Sequence, residues 1–126
     1  MSAKHTFEYI DGITVVRFSE MPTFVDAKLI IDQLAKENSY HLRLWDFSRV
    51  KFDFTMDDIR TIAKYGKSKF LEKNFLAAVA LQDVAYGTLR AFEVYREEEG
   101  RSSVRTFRTE QEAMDWLVSQ RGHLDS

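Results

Sequence analysis

The stretch FLAAVALQ, residues 75–82, determines how the rest of this chain is interpreted. It is a continuous apolar run of strand length, without the polar alternation of a half-exposed strand. Such a run is typical of a central strand covered on both faces, as in sheets whose strands are joined by helices. The sequence on both sides of it should therefore contain helices.

Four segments have apolar residues at the spacing of a helix, and they cover residues 22–38, 55–73, 84–99 and 109–121. The residues predicted to face the core are Val25, Ala27, Ile30, Ile31, Leu34 and Ala35, then Ile59, Ile62, Ala63, Gly66 and Phe70, then Leu89, Phe92 and Tyr95 or Arg96, and finally Ala113, Trp116 and Leu117. Pro22 suits a first turn and Asn38 suits a helix end. Thr109 and Glu112 predict a capping box.

The remaining apolar segments predict strands. Asp11-Gly12 lies between two alternating runs and favours a hairpin with a type I′ turn, in which both positions need positive φ. Residues 41–47, with Leu42, Leu44 and Phe47 inward, and residues 103–107 complete the set, whereas residues 122–126 are predicted to fray.

The resulting order β-β-α-β-α-β-α-β-α predicts one α/β domain over residues 1–126, with its core at about residues 6–118. We expect a mixed sheet of about five strands and four helices, because alternating strands and helices build sheets with helices packed on them.

Composition excludes several classes of function. The chain has 126 residues, with 18 basic and 20 acidic side chains and a net charge of -2, so no general attraction to nucleic acid is expected. It has no cysteine, which removes disulfides and thiolate chemistry. No secretory signal is visible, and the longest apolar run, residues 75–81, is far too short to span a membrane. We therefore predict a cytoplasmic protein without integral membrane association.

Motifs for catalysis are weak. The three histidines, His5, His41 and His123, belong to no recognisable metal or triad motif, so neither a catalytic residue nor a metal or other cofactor is predicted. The segment YGKSK, residues 65–69, matches the end of a phosphate-binding loop, but Thr61 stands where that motif needs glycine.

The lysines of this region are predicted to form a solvated helix face, with a contact surface for an acidic partner as the weaker option. They are Lys64, Lys67, Lys69 and Lys73.

The segment RLWDFSRVKFDFTMDDI, residues 43–59, leads from a strand through a loop into a helix. Ser48 is predicted to end the strand by bonding nearby backbone, and Thr55 to cap the helix with Asp58 at the third helical position. Phe52, Phe54 and Met56 either form an exposed apolar patch or fold back as a lid over the core. The loop follows the carboxyl end of a strand, where α/β sheets usually place ligands.

Arg90 lies between Leu89 and Phe92 in the third helical segment. It is interpreted as an exposed arginine whose stem covers apolar surface, with a contact to an anion as the alternative.

Three segments resemble a known family: LWDFSRV at 44–50, GTLRAFEVY at 87–95 and VRTFRTEQEAMDWL at 104–117. The first is similar to the D-L-S-G-V region of STAS domains, the bacterial anti-sigma-factor antagonists. The other two resemble the SpoIIAA-like branch, which is related in fold to CRAL-TRIO lipid-transfer domains. The resemblance covers residues 7–117 and implies a mixed α/β sheet and protein–protein interaction.

In the antagonists a serine at the start of the helix after the third strand is phosphorylated, which switches binding off. Aligned without a gap, that position falls on Met56, which has no hydroxyl. Deleting one residue puts Asp53 on the motif aspartate and Thr55 on the acceptor, although Met56 then replaces a glycine. Thr55 is therefore a candidate phosphoacceptor.

These observations predict a non-enzymatic regulatory or protein-interaction domain. Its contact surface would be the loop at residues 46–55 and the outer face of the helix at 55–73, and its partner an unidentified protein or a second copy of the chain. The predicted binding residues are Asp46, Ser48, Phe52, Asp53, Phe54, Thr55 and Met56. The alternative is a protein that binds a small apolar, lipid-like ligand, and the third possibility is an enzyme whose site the sequence does not reveal.

Overall fold

A computed structural model describes residues 4–99 and 102–125 of the chain. The strands are β1 (His5–Ile10), β2 (Ile13–Phe18), β3 (Leu42–Asp46), β4 (Asn74–Val79) and β5 (Ser102–Phe107). The helices are α1 (Phe24–Lys36), α2 (Met56–Lys69), α3 (Asp83–Glu99) and α4 (Glu110–Gln120), followed by a 3-10 helix at Arg121–Asp125. None of the helices in these residues has the length and apolarity needed to cross a membrane.

The five strands form one mixed sheet in the order β1-β2-β3-β4-β5. β1 and β2 pair antiparallel, and β2 to β5 are mutually parallel. The hairpin turn is as predicted, with positive φ at Asp11 (53°) and Gly12 (79°). The predicted class, an α/β domain with a hairpin, five strands and four helices, is confirmed.

The sheet is covered by three helices on one face and one helix on the other. Each connection from β2 to β5 moves one strand further in the same direction, and right-handed crossovers then put α1, α2 and α3 on the same face. The helix α4 follows the last strand and packs on the opposite face, with Ala113 and Leu117 against Leu44 and Ala77. As predicted, every residue of β4 is buried, because both of its faces are covered.

Most predicted core positions of the helices are buried; Ala35 and Trp116 are half-buried, and Val25 is 62% exposed. Val25 lies in the first turn of α1, on the outer side of the helix. Its apolar character therefore predicted the wrong helix face for this residue. The side chains of Tyr95 and Arg96 lie outside the part of the chain that is described.

Helix ends follow local backbone chemistry. Thr23 caps α1, so Pro22 precedes the helix instead of occupying its first turn. Asn38, with φ of 56°, closes the helix as predicted, because asparagine tolerates the left-handed conformation. The second helix ends at Lys69, four residues before its predicted end, since Phe70 leaves the helical conformation.

At the carboxyl-terminal end, two predictions change. The Thr109 hydroxyl accepts the N–H of Glu112 at 3.2 Å, but the Glu112 carboxylate accepts the threonine hydroxyl at 3.0 Å, so only half of the predicted capping box forms. The tail, predicted to fray, folds into the 3-10 helix because Leu124 packs against the core on the α4 face.

Candidate functional site

The carboxyl ends of the four parallel strands and the first turns of all four helices meet at one edge of the sheet, called the carboxyl edge here. Pairing register brings Arg17, Asp46, Val79 and Phe107 into one row near this edge. Side chains of a strand alternate between faces, so this row projects toward the face that carries α4. The first turn of α4 brings Glu110 to the same place.

Arg17 and Glu110 form a two-pronged ion pair. Arg17 Nε lies 2.9 Å from Glu110 Oε2, and Nη2 lies 2.9 Å from Oε1. Arg17 also donates to the carboxylate of Glu8 on β1. This arginine therefore ties β1, β2 and α4 together, and parallel N–H···O bonds of this kind are the strongest charged hydrogen bonds in proteins.

A hydrogen bond between Asp46 and Glu110 shifts the pKa values of the two carboxyl groups in opposite directions. Burial, together with a hydrogen bond to Glu110, raises the pKa of Asp46, which is only 6% exposed. The hydrogen bonds from Arg17, together with the one from Asp46, lower the pKa of Glu110 to about 2. Two carboxyl groups can form a hydrogen bond only if one is protonated, and these opposite shifts mean that Asp46 takes up a proton before Glu110 as the pH falls. Glu110 is the ionised partner, stabilised further by the positive end of α4.

The β3–α2 loop, residues 47–55, begins with a turn that Asp46 closes. Asp46 Oδ1 accepts the backbone N–H of Ser48 at 2.8 Å, and the Ser48 hydroxyl also bonds the Asp46 carboxyl. We predicted that the Ser48 hydroxyl would bond nearby backbone, but its partner is the side chain of Asp46. Asp46 terminates the strand, because its side chain competes for the next available N–H.

Phe52 and Phe54 fold back onto the core. For these two residues the lid is therefore the correct interpretation, and the exposed apolar patch is not. Phe47 and Phe52 pack edge to face with ring centres 5.3 Å apart, and Phe52 and Phe54 do so at 5.6 Å. Phe52 is buried and Phe54 half-buried, whereas Met56 is 42% exposed. The free energy gained by burying two phenyl rings outweighs the usual preference for polar residues in a loop.

Thr55 caps α2 as predicted. Its hydroxyl accepts the N–H of Asp58 at 3.1 Å, and Asp58 Oδ2 accepts the N–H of Thr55 at 3.0 Å, which completes a capping box. Asp53, just before it, is exposed. The predicted binding residues therefore separate into a buried group around Asp46 and Phe52 and an exposed group at the helix start.

A small cavity lies between the sheet and helices α2 and α3. Its volume is about 30 Å³, and it is lined by apolar side chains from both helices together with Phe54, Trp45 and Arg43. The indole N–H of Trp45 is buried without an acceptor. Such a volume accommodates at most about one water molecule.

Arg43 is almost fully buried and serves the structure beneath α2. Its Nη1 donates to the Tyr40 carbonyl at 2.7 Å and to Asn74 Oδ1 at 2.8 Å, and its guanidinium lies 4.3 Å from the centre of the Phe70 ring. These contacts link the starts of β3 and β4 to the end of α2.

Arg90, the candidate anion contact, lies away from the carboxyl-edge cluster. Its side chain is 59% exposed, and its Nε lies 3.1 Å from Glu93 Oε2. Arg90 is therefore exposed, as predicted. Its acidic partner, Glu93, lies on the same helix.

The histidines show no shared site. His41 Nε2 lies 2.7 Å from Glu72 Oε2, and its ring stacks on Tyr40 at 4.4 Å. Within residues 4–99 and 102–125, no group of three acidic or histidine side chains is arranged to hold a metal ion.

Sequence reasoning missed Arg17, Glu110 and Arg43. The alternation of β2 put Arg17 on the face that α4 covers, but nothing local indicated that Glu110 would meet it there. A charged residue inside an apolar strand was the available signal for Arg17 and for Arg43. No family model matches this chain, and no curated protein matches it in sequence.

Proposed function

We propose that this chain is a non-enzymatic regulatory or protein-interaction domain of the SpoIIAA-like type. Its contact surface is the β3–α2 loop together with the outer face of α2. The observation that carries the proposal is the exposure of that face, where Met56, Arg60, Lys64 and Lys67 follow one another at exposed positions. A helix face next to the carboxyl edge is accessible to a protein partner without any unfolding.

The order of the loop supports the proposal. The Asp46 turn fixes its start, the phenyl rings of Phe52 and Phe54 fix its middle, and the Thr55 capping box fixes its end. A contact surface that is already ordered loses less conformational entropy on binding than a mobile one. Thr55 stays the candidate phosphoacceptor of this surface, since a phosphate is tolerated at a helix N-terminus.

The alternative, binding of a lipid-like ligand, has less support. Pockets for small molecules usually measure about 300–1,000 Å³. The apolar cavity beneath α2 measures about 30 Å³. The hollow of about 420 Å³ beside β5 lies at the surface and has Ser103, Arg105 and Gln120 in its lining.

An enzymatic role for the carboxyl pair is not part of the proposal. The oxygens of Asp46 and Glu110 are occupied by Ser48, by Arg17 and by each other. These contacts join β2, β3 and α4, and we assign the pair a role in holding the carboxyl edge together.

Site-specific photo-crosslinking in the native cell tests the proposal. A photoreactive amino acid is introduced at Met56 or at Lys64, with Asp115 on the outer face of α4 as the matched exposed control. We expect one and the same adduct from the two α2 positions and none from position 115. An adduct at twice the chain mass of 14.8 kDa would identify a second copy as the partner.

Two results would overturn the proposal. The first is the absence of any adduct from positions 56 and 64, and the second is an equal yield of the same adduct from position 115. Thermal unfolding of each variant must match the parent protein, and exposed positions are chosen because substitutions there seldom change stability by more than about 0.5 kcal/mol.

A further inference from the structure

The outer edge of β1 presents unpaired backbone groups. β1 lies at one end of the sheet, and β2 is its strand partner. In this antiparallel pair alternate residues bond across to β2, and the carbonyl of Lys4 belongs to that set because it accepts the N–H of Ser19 at 2.9 Å. The backbone groups of His5, Phe7 and Tyr9 therefore point away from β2. Within residues 4–99 and 102–125 no hydrogen bond reaches them.

The edge at the other end of the sheet is guarded by a side chain. The N–H of Thr106 on β5 points outward, and Glu93 Oε1 accepts it at 2.6 Å. Proteins commonly place charged side chains on sheet edges in this way, because an open edge recruits further strands. In the described part of the chain β1 has no such guard, so its edge is the one available for pairing.

One side of α1 runs along this edge, and its members are called the α1 stripe below. They are Asp26, Leu29, Gln33 and Lys36, three or four residues apart. Lys4 Nζ lies 3.4 Å from Asp26 Oδ2, and the Tyr9 hydroxyl lies 3.4 Å from Glu37 Oε2 just beyond the stripe. The two contacts place the stripe beside β1 and show that α1 and β1 run in the same direction. Leu29, near the middle of the stripe, is 61% exposed.

We infer that two copies of this chain pair along β1, antiparallel and about a twofold axis at Phe7, and so join their sheets into one. Phe7 then lies opposite Phe7 of the second copy, and His5 lies opposite Tyr9 of the second copy. Of the antiparallel registers within β1, this is the one in which all outward N–H and C=O groups of these three residues gain a partner. Two aromatic rings at facing positions add to the stability of such a pair.

The same axis makes the two α1 stripes complementary. Because α1 runs with β1, antiparallel pairing of the strands sets the two helices antiparallel on one face of the joined sheet. Asp26 in the first turn then lies toward Lys36 in the last turn of the second copy, and the exposed Leu29 lies between the two helices. A second copy supplies both the strand and the matching charges, which a lone strand of another protein lacks.

Sedimentation velocity over a concentration series tests the inference. The parent protein should form a species of twice the chain mass of 14.8 kDa. Tyr9→Pro removes one outward N–H, which an edge strand tolerates, and should weaken dimerisation at least about tenfold, because a twofold interface loses each bond twice. Tyr9→Thr keeps the N–H and should dimerise more tightly than Tyr9→Pro. A parent protein that stays monomeric up to about 1 mM, or equal weakening by the two substitutions, would overturn the inference.

A helix substitution tests the same interface without changing the backbone of β1. Leu29→Glu puts a charge between the two helices and should weaken dimerisation at least about tenfold. Val84→Glu is the matched control, because Val84 on α3 is 78% exposed and lies away from β1, and it should leave dimerisation unchanged. A dimer of parent strength in Leu29→Glu would overturn the inference.

Amide hydrogen exchange identifies the strand that pairs. The N–H groups of Phe7 and Tyr9 should exchange at least about tenfold more slowly in the dimer than after dilution to monomer, since pairing protects them. The N–H of Val104 on the opposite edge should exchange at the same rate in both. Slowing at Val104 in place of Phe7 and Tyr9 would overturn the inference.

This inference goes beyond the proposed function, because it concerns a different surface. The helix α2 joins β3 to β4, so its outer face stays exposed when two β1 edges pair. The two proposals therefore fail separately. A monomeric parent protein that still gives the adduct from positions 56 and 64 overturns the pairing of β1 alone, whereas a β1-paired dimer that gives no adduct overturns the proposed function alone.

Discussion

Arg17→Gln tests the account of the carboxyl edge most directly. The arginine makes two bonds of 2.9 Å to Glu110 and a further bond to Glu8. Glutamine keeps most of the side-chain length and its polarity, but removes the positive charge and the paired donors. The variant should therefore lose the interaction that lowers the pKa of Glu110, with little change in packing.

The magnitude follows from the pKa of Glu110. Its ordinary value of 4.5 falls to about 2 in the folded protein. At about 1.4 kcal/mol per pKa unit, this difference corresponds to about 3 kcal/mol as an upper limit. Because the side chains of Arg17 and Glu110 are 31% and 34% exposed, solvent screening reduces the expected cost to about 1–2 kcal/mol. The melting temperature should fall by about 4–8 °C in a chain of this size.

Urea unfolding at a series of pH values is the assay. A carboxyl group whose pKa is lowered by folding stabilises the protein above its ordinary pKa, and this contribution is lost as the pH falls toward the folded value. For Glu110 that window runs from 4.5 down to about 2. The free energies of unfolding of the parent and Arg17→Gln should therefore differ at neutral pH and converge at the acid end.

An exposed ion pair is the control for this experiment. Lys69 Nζ lies 3.7 Å from Asp32 Oδ1, with both side chains more than 40% exposed. Lys69→Gln should cost less than about 0.5 kcal/mol. The reasoning would be refuted if Arg17→Gln cost as little as this control, or if its cost stayed constant from neutral pH to the acid end.

Substitutions at four further positions test other contacts by the same urea assay. Asp46→Asn should leave the protein as stable as the parent, or up to about 1 kcal/mol more stable, at neutral pH and equal to it in acid. Because the pKa of Asp46 is raised, its carboxyl group stabilises the folded state at pH values below its ordinary pKa of 3.8, and this contribution is lost as the pH rises. Asparagine does not titrate and keeps the bonds to Ser48 and Glu110. A loss above about 1 kcal/mol at neutral pH would contradict the raised pKa of Asp46. Thr55→Ala should cost about 1 kcal/mol through the lost cap, and Thr55→Ser should recover most of it; equal losses in the two would argue against capping. Phe52→Ala should cost about 3 kcal/mol because the ring is buried, and Met56→Ala less than about 0.5 kcal/mol. Similar costs for these two would contradict the lid.

Local sequence signals predicted most of the architecture. The apolar run in β4, the Asp-Gly turn and the helical spacing around Ile59 and Leu89 each depend on a few neighbouring residues. The errors have local causes as well. Val25 is apolar but lies on the outer side of α1, and Phe70 ended α2 earlier than helical spacing indicated.

The candidate site was predicted only in part. The choice of the loop after β3 as the contact surface stays a prediction, whereas the Thr55 cap is confirmed and follows from residues three positions apart. The burial of Phe52 and Phe54 depends on whether the core leaves room for two more rings, which no local pattern encodes. Assignment to the SpoIIAA-like family, with its protein partner, stays a prediction.

The sequence by itself determined the order of the elements, the hairpin, the helix caps and the faces that enter the core, because each arises from periodicity or from backbone chemistry within one turn or strand. Only the tertiary structure decided that Arg17, Asp46 and Glu110 meet. Arg17 and Glu110 are 93 positions apart, and their contact depends on strand register and on which face of the sheet α4 covers. Those choices belong to the packed sheet as a whole, so the contacts among Arg17, Asp46 and Glu110 form only when the chain has folded.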